Sequence, residues 1–167
     1  MTWTRRQSLR ALLTAALLLA PSLPQPAGAA EELAFPVSPL TVETMRGRFQ
    51  FIVEIAETPS TWRQGLQKRE HLAPDAGMLF NYRDPRVVTM WMKDTLISLD
   101  MIFIDPRGAV INVVENTVPL SLTPIASDGP ALAVLEVGAG TAARLGIRPG
   151  DRVYHAIFAA QPVPAQP

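Results

Sequence analysis

Residues 99 to 114, Leu99-Asp100-Met101-Ile102-Phe103-Ile104-Asp105-Pro106-Arg107-Gly108-Ala109-Val110-Ile111-Asn112-Val113-Val114, read as a β-hairpin. Two apolar runs rich in β-branched residues flank a four-residue turn, in which Pro106 presets φ and Gly108 can take the left-handed position. Upstream, Phe49, Phe51, Val53 and Ile55 alternate with Arg48, Gln50, Ile52 and Glu54, the period of a half-buried strand. Arg46-Gly47 joins that strand to Leu40–Met45 as a second hairpin. Strands are also expected at Met78–Tyr82 and Val87–Lys93, separated by Arg83-Asp84-Pro85-Arg86, and at Ala131–Val137 and Arg152–Phe158. One helix starts at Thr58-Pro59-Ser60, with a capping hydroxyl and a proline at its first position, and ends near Lys68. Thr141–Leu145 makes a helical turn, and Glu115–Pro130, with three prolines, reads as a long loop or edge segment. The expectation is a mainly β, single-domain fold of about eight short strands with one short helix, a small β-sandwich or barrel-like structure and not a parallel α/β sheet.

The chain ends read differently. Thr4-Arg5-Arg6-Gln7-Ser8-Leu9-Arg10, the apolar run Ala11–Ala20 and the small residues Ala27-Gly28-Ala29 have the layout of an export signal over residues 1–29. Its paired arginines and alanine-rich centre suit the twin-arginine route. The apolar run is too short to span ~30 Å of hydrocarbon, so no membrane span is expected after cleavage. Residues 30–39 read as a linker, 40–158 as the β-rich domain and 159–167 as a disordered tail. The expected location is periplasmic or secreted.

Composition removes several function classes. Cleavage after residue 29 takes away Arg5, Arg6 and Arg10 and no acid, leaving a net charge of about −3. Without a cluster of basic residues, the counterion release that drives nucleic-acid binding is missing. The chain has no cysteine, which excludes thiolate nucleophiles, disulfides and cysteine metal sites. His71 and His155 have no second histidine at ligand spacing, and the methionines lie inside apolar runs as core filler. No metal and no cofactor is expected.

Chemistry is suggested by ionisable residues in apolar settings. Asp100 interrupts Leu99–Ile104, Glu136 interrupts Ala131–Val137, and Lys93, one of only two lysines, sits in Met90-Trp91-Met92-Lys93-Asp94-Thr95. Leaving any of them buried and unpaired would cost several kcal/mol, roughly the stability margin of a small domain. Three readings follow for the charged set Arg63, Arg69, Lys93, Asp94, Asp100, Glu136 and Asp151, together with Trp91. Asp100 and Glu136 could pair with Arg63 or Arg69 as a structural ion network. The cluster could instead open to solvent and bind a small polar ligand, with Trp91 as platform and Lys93 or an arginine as anion receptor. A hydrolase with Asp100 and Glu136 as paired carboxylates requires the two to lie ~5 to 9.5 Å apart in one groove.

The motifs Arg63-x-Gly65-Leu66-x-x-Arg69, Gly77-Met78-Leu79-Phe80, Trp91-Met92-Lys93-Asp94-Thr95, Leu99-Asp100-x-x-Phe103-Ile104, Leu135-Glu136 and Gly150-Asp151 occur in order. Over residues 40–158 the chain resembles an exported prokaryotic family known as domain of unknown function 192. The resemblance implies a compact β-rich fold and an export context, and no assigned reaction. The chain departs from the family pattern at Gln67, where methionine is usual, at Met90, where an aromatic is usual, and at Asp94, where asparagine is usual. A carboxylate at position 94 could pair with Lys93 or bind a cation as an amide could not. The functional expectation is an exported, monomeric domain that binds a small polar ligand or a cell-envelope protein beside Trp91 and Lys93, and it leans away from an enzyme.

Overall fold

The alternation of residues 48–56 becomes a strand whose apolar side is buried, and it sets the pattern for a sheet of seven strands. The computed structural model describes residues 34–158. The expected signal (1–29), the first residues of the linker and the tail (159–167) lie outside the described residues. The elements are β1 (Val37–Thr44), β2 (Gly47–Ala56), α1 (Pro59–Gln64), β3 (Ala76–Met90), β4 (Leu99–Ile104), β5 (Val110–Val114), β6 (Ile125–Gly138), α2 (Thr141–Leu145) and β7 (Arg152–Tyr154). A single 3₁₀ turn, Ala156–Phe158, follows. The spatial order is β5-β4-β6-β3-β2-β1-β7. The protein is mainly β, a curled sheet that forms a half-barrel.

The two expected hairpins are β1–β2 and β4–β5, both antiparallel. β1 begins at Val37, inside the stretch read as linker. The expected strands 78–82 and 87–93 are one strand, β3, so the described residues form seven strands in place of about eight. Arg83-Asp84-Pro85-Arg86 does not reverse the chain, because β6 runs alongside both halves. Met78 pairs with Glu136 on one side of the irregularity and Arg86 with Ala131 on the other. The extra residues bulge outward, with Arg83 at φ 66 and its N–H held by Asn81 Oδ1 at 3.0 Å. β6 correspondingly starts at Ile125, within the expected loop. Ser127 Oγ there accepts from Val88 N–H at 2.9 Å, and Asn112 Oδ1 from Asp128 N–H at 3.1 Å.

The sheet curls until its ends approach. Val110 N–H donates to Asp151 O (2.9 Å) and Val153 N–H to Gly108 O (2.7 Å), linking the β4–β5 turn to β7. Gly108 is required at this contact: its φ is 80, and a Cβ would lie 2.4 Å from the Val153 oxygen.

Both faces of the central strands are covered, which explains their unbroken apolar runs. One face gathers residues from all seven strands and α2, among them Leu40, Phe51, Val53, Ile102, Leu135, Val137 and Leu145. The other face is smaller and lies beneath α1, with Leu66, Met78, Phe80, Met101, Phe103 and Val134 buried and Trp62 packed against them. Each fully buried phenylalanine, such as Phe80 or Phe103, contributes about 1.5–3 kcal/mol by transfer from water. Met78, Met92 and Met101 are fully buried in this second core. Helix α1 reaches that face because β2 and β3 run parallel, and their crossover, residues 57–75, carries the helix across. Among the described residues no helix is long and apolar enough to cross a membrane.

Candidate functional site

Alternation along a strand sends neighbouring residues to opposite faces, and that rule separates the two acids. In β4, Ile102 and Ile104 belong to the seven-strand core while Leu99, Met101 and Phe103 belong to the core under α1. Asp100 therefore faces the first. Its fully buried carboxylate accepts from Asn116 N–H and Ala142 N–H, both at 2.8 Å, and so fixes the start of α2 to the loop after β5. Glu136 stands between Met78 and Met101 in the ladder, both of the second core, and faces α1.

The expected pairing of Asp100 and Glu136 with Arg63 or Arg69 is thus corrected. Arg69 instead makes a two-pronged ion pair with Glu54 of β2, 2.6 Å at each prong. That pair ties the segment after α1 to the sheet. The paired-carboxylate hydrolase is also corrected, because the sheet lies between its two acids.

Glu136 is only 4% exposed, and its carboxyl has no hydrogen bond or ion pair to another described residue. Among the described residues no enclosed polar side-chain atom lacks a partner, so the Glu136 oxygens must open onto space. That space is a cavity of about 280 Å³ between α1 and β3. Burial pushes the Glu136 carboxyl up to about 8, since the charged form loses its water and gains no counter-ion. Tyr82 also lines the cavity. Its hydroxyl is raised well above the usual phenol value, first by burial and then by the negative charge of Glu136.

The walls are rigid. Thr58 caps α1, accepting from Thr61 N–H, and Pro59 starts the helix as expected. The helix ends at Gln64, a turn earlier than expected, because Gly65 adopts φ 46, ψ −137. A Cβ there would stand 3.1 Å from the Phe80 ring. Only glycine fits both demands, and its turn lets Leu66 drop into the core. Trp62 Nε1–H donates to the carbonyls of Ala56 (3.0 Å) and Asn81 (3.1 Å), and the ring lies 5.2 Å from that of Tyr82. Arg86 sits over both rings, and Tyr82 O–H donates to Met90 Sδ at 2.9 Å.

Trp91 to Thr95 is not the end of a strand. β3 stops at Met90, and the segment loops with Met92 buried as its anchor. Met92 N–H donates to Ser121 O, Leu120 N–H to Thr95 O, and Lys68 N–H to Asp94 O at 2.8 Å. These bonds hold Lys93 and half-exposed Trp91 at the mouth of the cavity, which exposed Arg63 of α1 also lines. Asp94 does not line the cavity, and its carboxylate makes no ion pair with Lys93. Its φ of 55 suits aspartate or asparagine, since these two residues tolerate the left-handed region best after glycine. Asp151 closes its own turn, accepting from Arg148 N–H at 2.8 Å.

Of the residues named from sequence, then, Arg63, Trp91, Lys93 and Glu136 meet at one cavity, while Arg69, Asp94 and Asp100 do not. Trp62, Gln64, Tyr82 and Thr89 also line it and were not singled out, as does Gln67, noted from sequence only as a departure from the family pattern. Tyr82 had a signal: it continues the parity of Met78 and Phe80. Two wider depressions, beside Arg144 and beside Pro106, have no buried ionisable group. Among the described residues no three histidine, aspartate or glutamate side chains are grouped to hold a metal.

The profile of the DUF192 family, described as Uncharacterized ACR, matches residues 41–155. A solved structure from Sinorhizobium meliloti 1021, described as a candidate transcription regulator, is 42% identical, with a TM-score of 0.73 over 75% of this chain and 98% of that one. A protein of unknown function from Novosphingobium aromaticivorans DSM 12444 is 40% identical, with a TM-score of 0.70 over 78% of this chain and 99% of the other. No curated protein gives a significant match.

Proposed function

The chain belongs to the DUF192 family, and from that premise we propose that its domain binds a small polar molecule in the cavity floored by Glu136. One observation carries the reading: a buried carboxyl without a hydrogen-bond or ion-pair partner among the described residues opens into a cavity walled by Trp62 and Tyr82, with Lys93, Arg63 and Trp91 at its mouth. A protein keeps an uncompensated buried acid at a cost of several kcal/mol, and a ligand that pairs with it offsets that cost. The reading is binding without a reaction. Among the described residues Glu136 is the only carboxyl lining the cavity, and Asp100 is committed to backbone N–H groups on the other face.

The export motif at Arg5-Arg6 supports a periplasmic setting, and the net negative charge of the exported form speaks against extending the S. meliloti protein's description to nucleic-acid binding here. A second reading, docking of a cell-envelope protein, is favoured by exposed Trp91, Leu96, Val118, Leu120 and Leu122 on two loops hydrogen-bonded to each other beside the mouth. Native mass spectrometry of the protein purified from its own host tests the first reading. A bound small mass that is lost on Lys93→Ala is expected. Bare protein in every preparation counts against a ligand, and co-purification of a protein lost on Leu120→Asp favours the second reading.

A further inference from the structure

The charged groups of the cavity are ordered by depth. Glu136 is at the floor, 4% exposed, whereas Arg63 and Lys93 are exposed at the mouth. None of the three makes an ion pair with a described residue. A simple cation would have to pass and then sit beneath two positive charges. A simple anion would satisfy the mouth and leave Glu136 with one hydrogen bond at most, and only while protonated. A molecule with a positive inner end and a negative outer end satisfies all three. Arg86 already lies over the Trp62 and Tyr82 rings, so the polarity of the ligand rests on the order of Glu136, Lys93 and Arg63. Size agrees with a ligand of few heavy atoms, since about 280 Å³ lies just below the roughly 300–1,000 Å³ of drug-sized sites.

Resting on the small-ligand reading above, we propose that the cavity takes an amino-acid-like zwitterion, its ammonium seated against the Glu136 carboxylate and its acid group held by Lys93 and Arg63. Glu136 enters the complex charged. Because burial keeps much of the empty site protonated at neutral pH, binding releases a proton. The other ionisable groups facing the cavity are Tyr82 of β3, Arg63 of α1 and Lys93 of the loop after β3, and Arg86 of β3 stands over the rings of Tyr82 and Trp62 behind them.

The test is isothermal titration of the full chain at pH 7 with glycine, β-alanine, γ-aminobutyrate and 6-aminohexanoate, and with n-butylammonium and butyrate as the separate halves. The indole N–H resonances of Trp62 and Trp91 report the location. The expected result is that at least one zwitterion binds about ten-fold or more tighter than either half, shifts both indoles, and releases on the order of one proton, measured in buffers of different ionisation enthalpy. Glu136→Gln should weaken the zwitterion about ten-fold, abolish the proton release and leave butyrate unchanged. Lys93→Ala should weaken butyrate and the zwitterion together. Butyrate or n-butylammonium binding as tightly as every zwitterion, or a zwitterion indifferent to Glu136→Gln, overturns the assignment while sparing the small-ligand reading. No indole shift with any of the six probes overturns the assignment, and the small-ligand reading then rests on native mass spectrometry alone.

Discussion

Asp100 and Glu136 look alike in sequence, each a lone acid in an apolar strand, yet their removal should have opposite consequences. The Asp100 carboxylate accepts two backbone N–H groups at 2.8 Å, one from the first turn of α2 and one from Asn116. Hydrogen bonds to a charged group contribute about 1.5–3 kcal/mol each, and Asp100→Ala also leaves the buried Ala142 N–H unsatisfied, while the N–H of exposed Asn116 can turn to water. The expected loss is about 3–5 kcal/mol, a large share of the 5–15 kcal/mol that holds a domain of this size. Asp100→Asn keeps one acceptor and should lose about half of that. Glu136 has no partner to orphan among the described residues, so Glu136→Gln should change stability at pH 5 by no more than ~1 kcal/mol. Since the two lie on opposite faces without a shared partner, the double variant should be additive within ~0.5 kcal/mol. Urea denaturation followed by tryptophan fluorescence measures all four. Equal losses for Asp100→Ala and Glu136→Gln, or coupling well above ~1 kcal/mol, would show that the acids belong to one network and refute the separation by the sheet.

Three other outcomes are expected. Glu136 holds its proton in the folded protein up to about pH 8, while an ordinary glutamate loses it near 4.5. Between those values the native state binds more protons than the unfolded one, so this group's contribution falls as pH rises, by at most on the order of 5 kcal/mol, and levels off above pH 8. Urea midpoints of wild type and Glu136→Gln should therefore converge near pH 4.5 and diverge in favour of the variant by pH 8; parallel profiles would contradict this. Arg69→Ala breaks the partly exposed pair with Glu54 and should cost about 1 kcal/mol by thermal unfolding, with less effect at high salt. Asp94→Asn should leave the melting temperature unchanged, whereas Asp94→Val should lower stability by ~1–2 kcal/mol because a β-branched residue is strained at φ 55; equal effects would return the carboxylate to importance.

Much of the site was legible from local pattern. Trp91, Lys93 and Glu136 stood out because charge and aromatic exposure are unusual in core-like runs, and Thr58-Pro59 announced the helix that carries Arg63. The pairings were not legible. Glu54 was passed over as the polar side of an alternating strand, yet it is the partner of Arg69. Arg83-Asp84-Pro85-Arg86 has the composition of a reversal and is an outward bulge, because ladder bonds to β6 on both sides outweigh the local preference for a turn.

The sequence by itself determined the β class, both hairpins, the capped helix and the set of residues from which a site could be built, because strand period, turn residues and caps act over a few neighbouring positions. Only the tertiary structure decided that Asp100 holds α2 while Glu136 floors a cavity. A strand turns successive residues to opposite faces, and what waits on each face is set by the parallel crossover that carries α1 over one side and by the curl that closes the other.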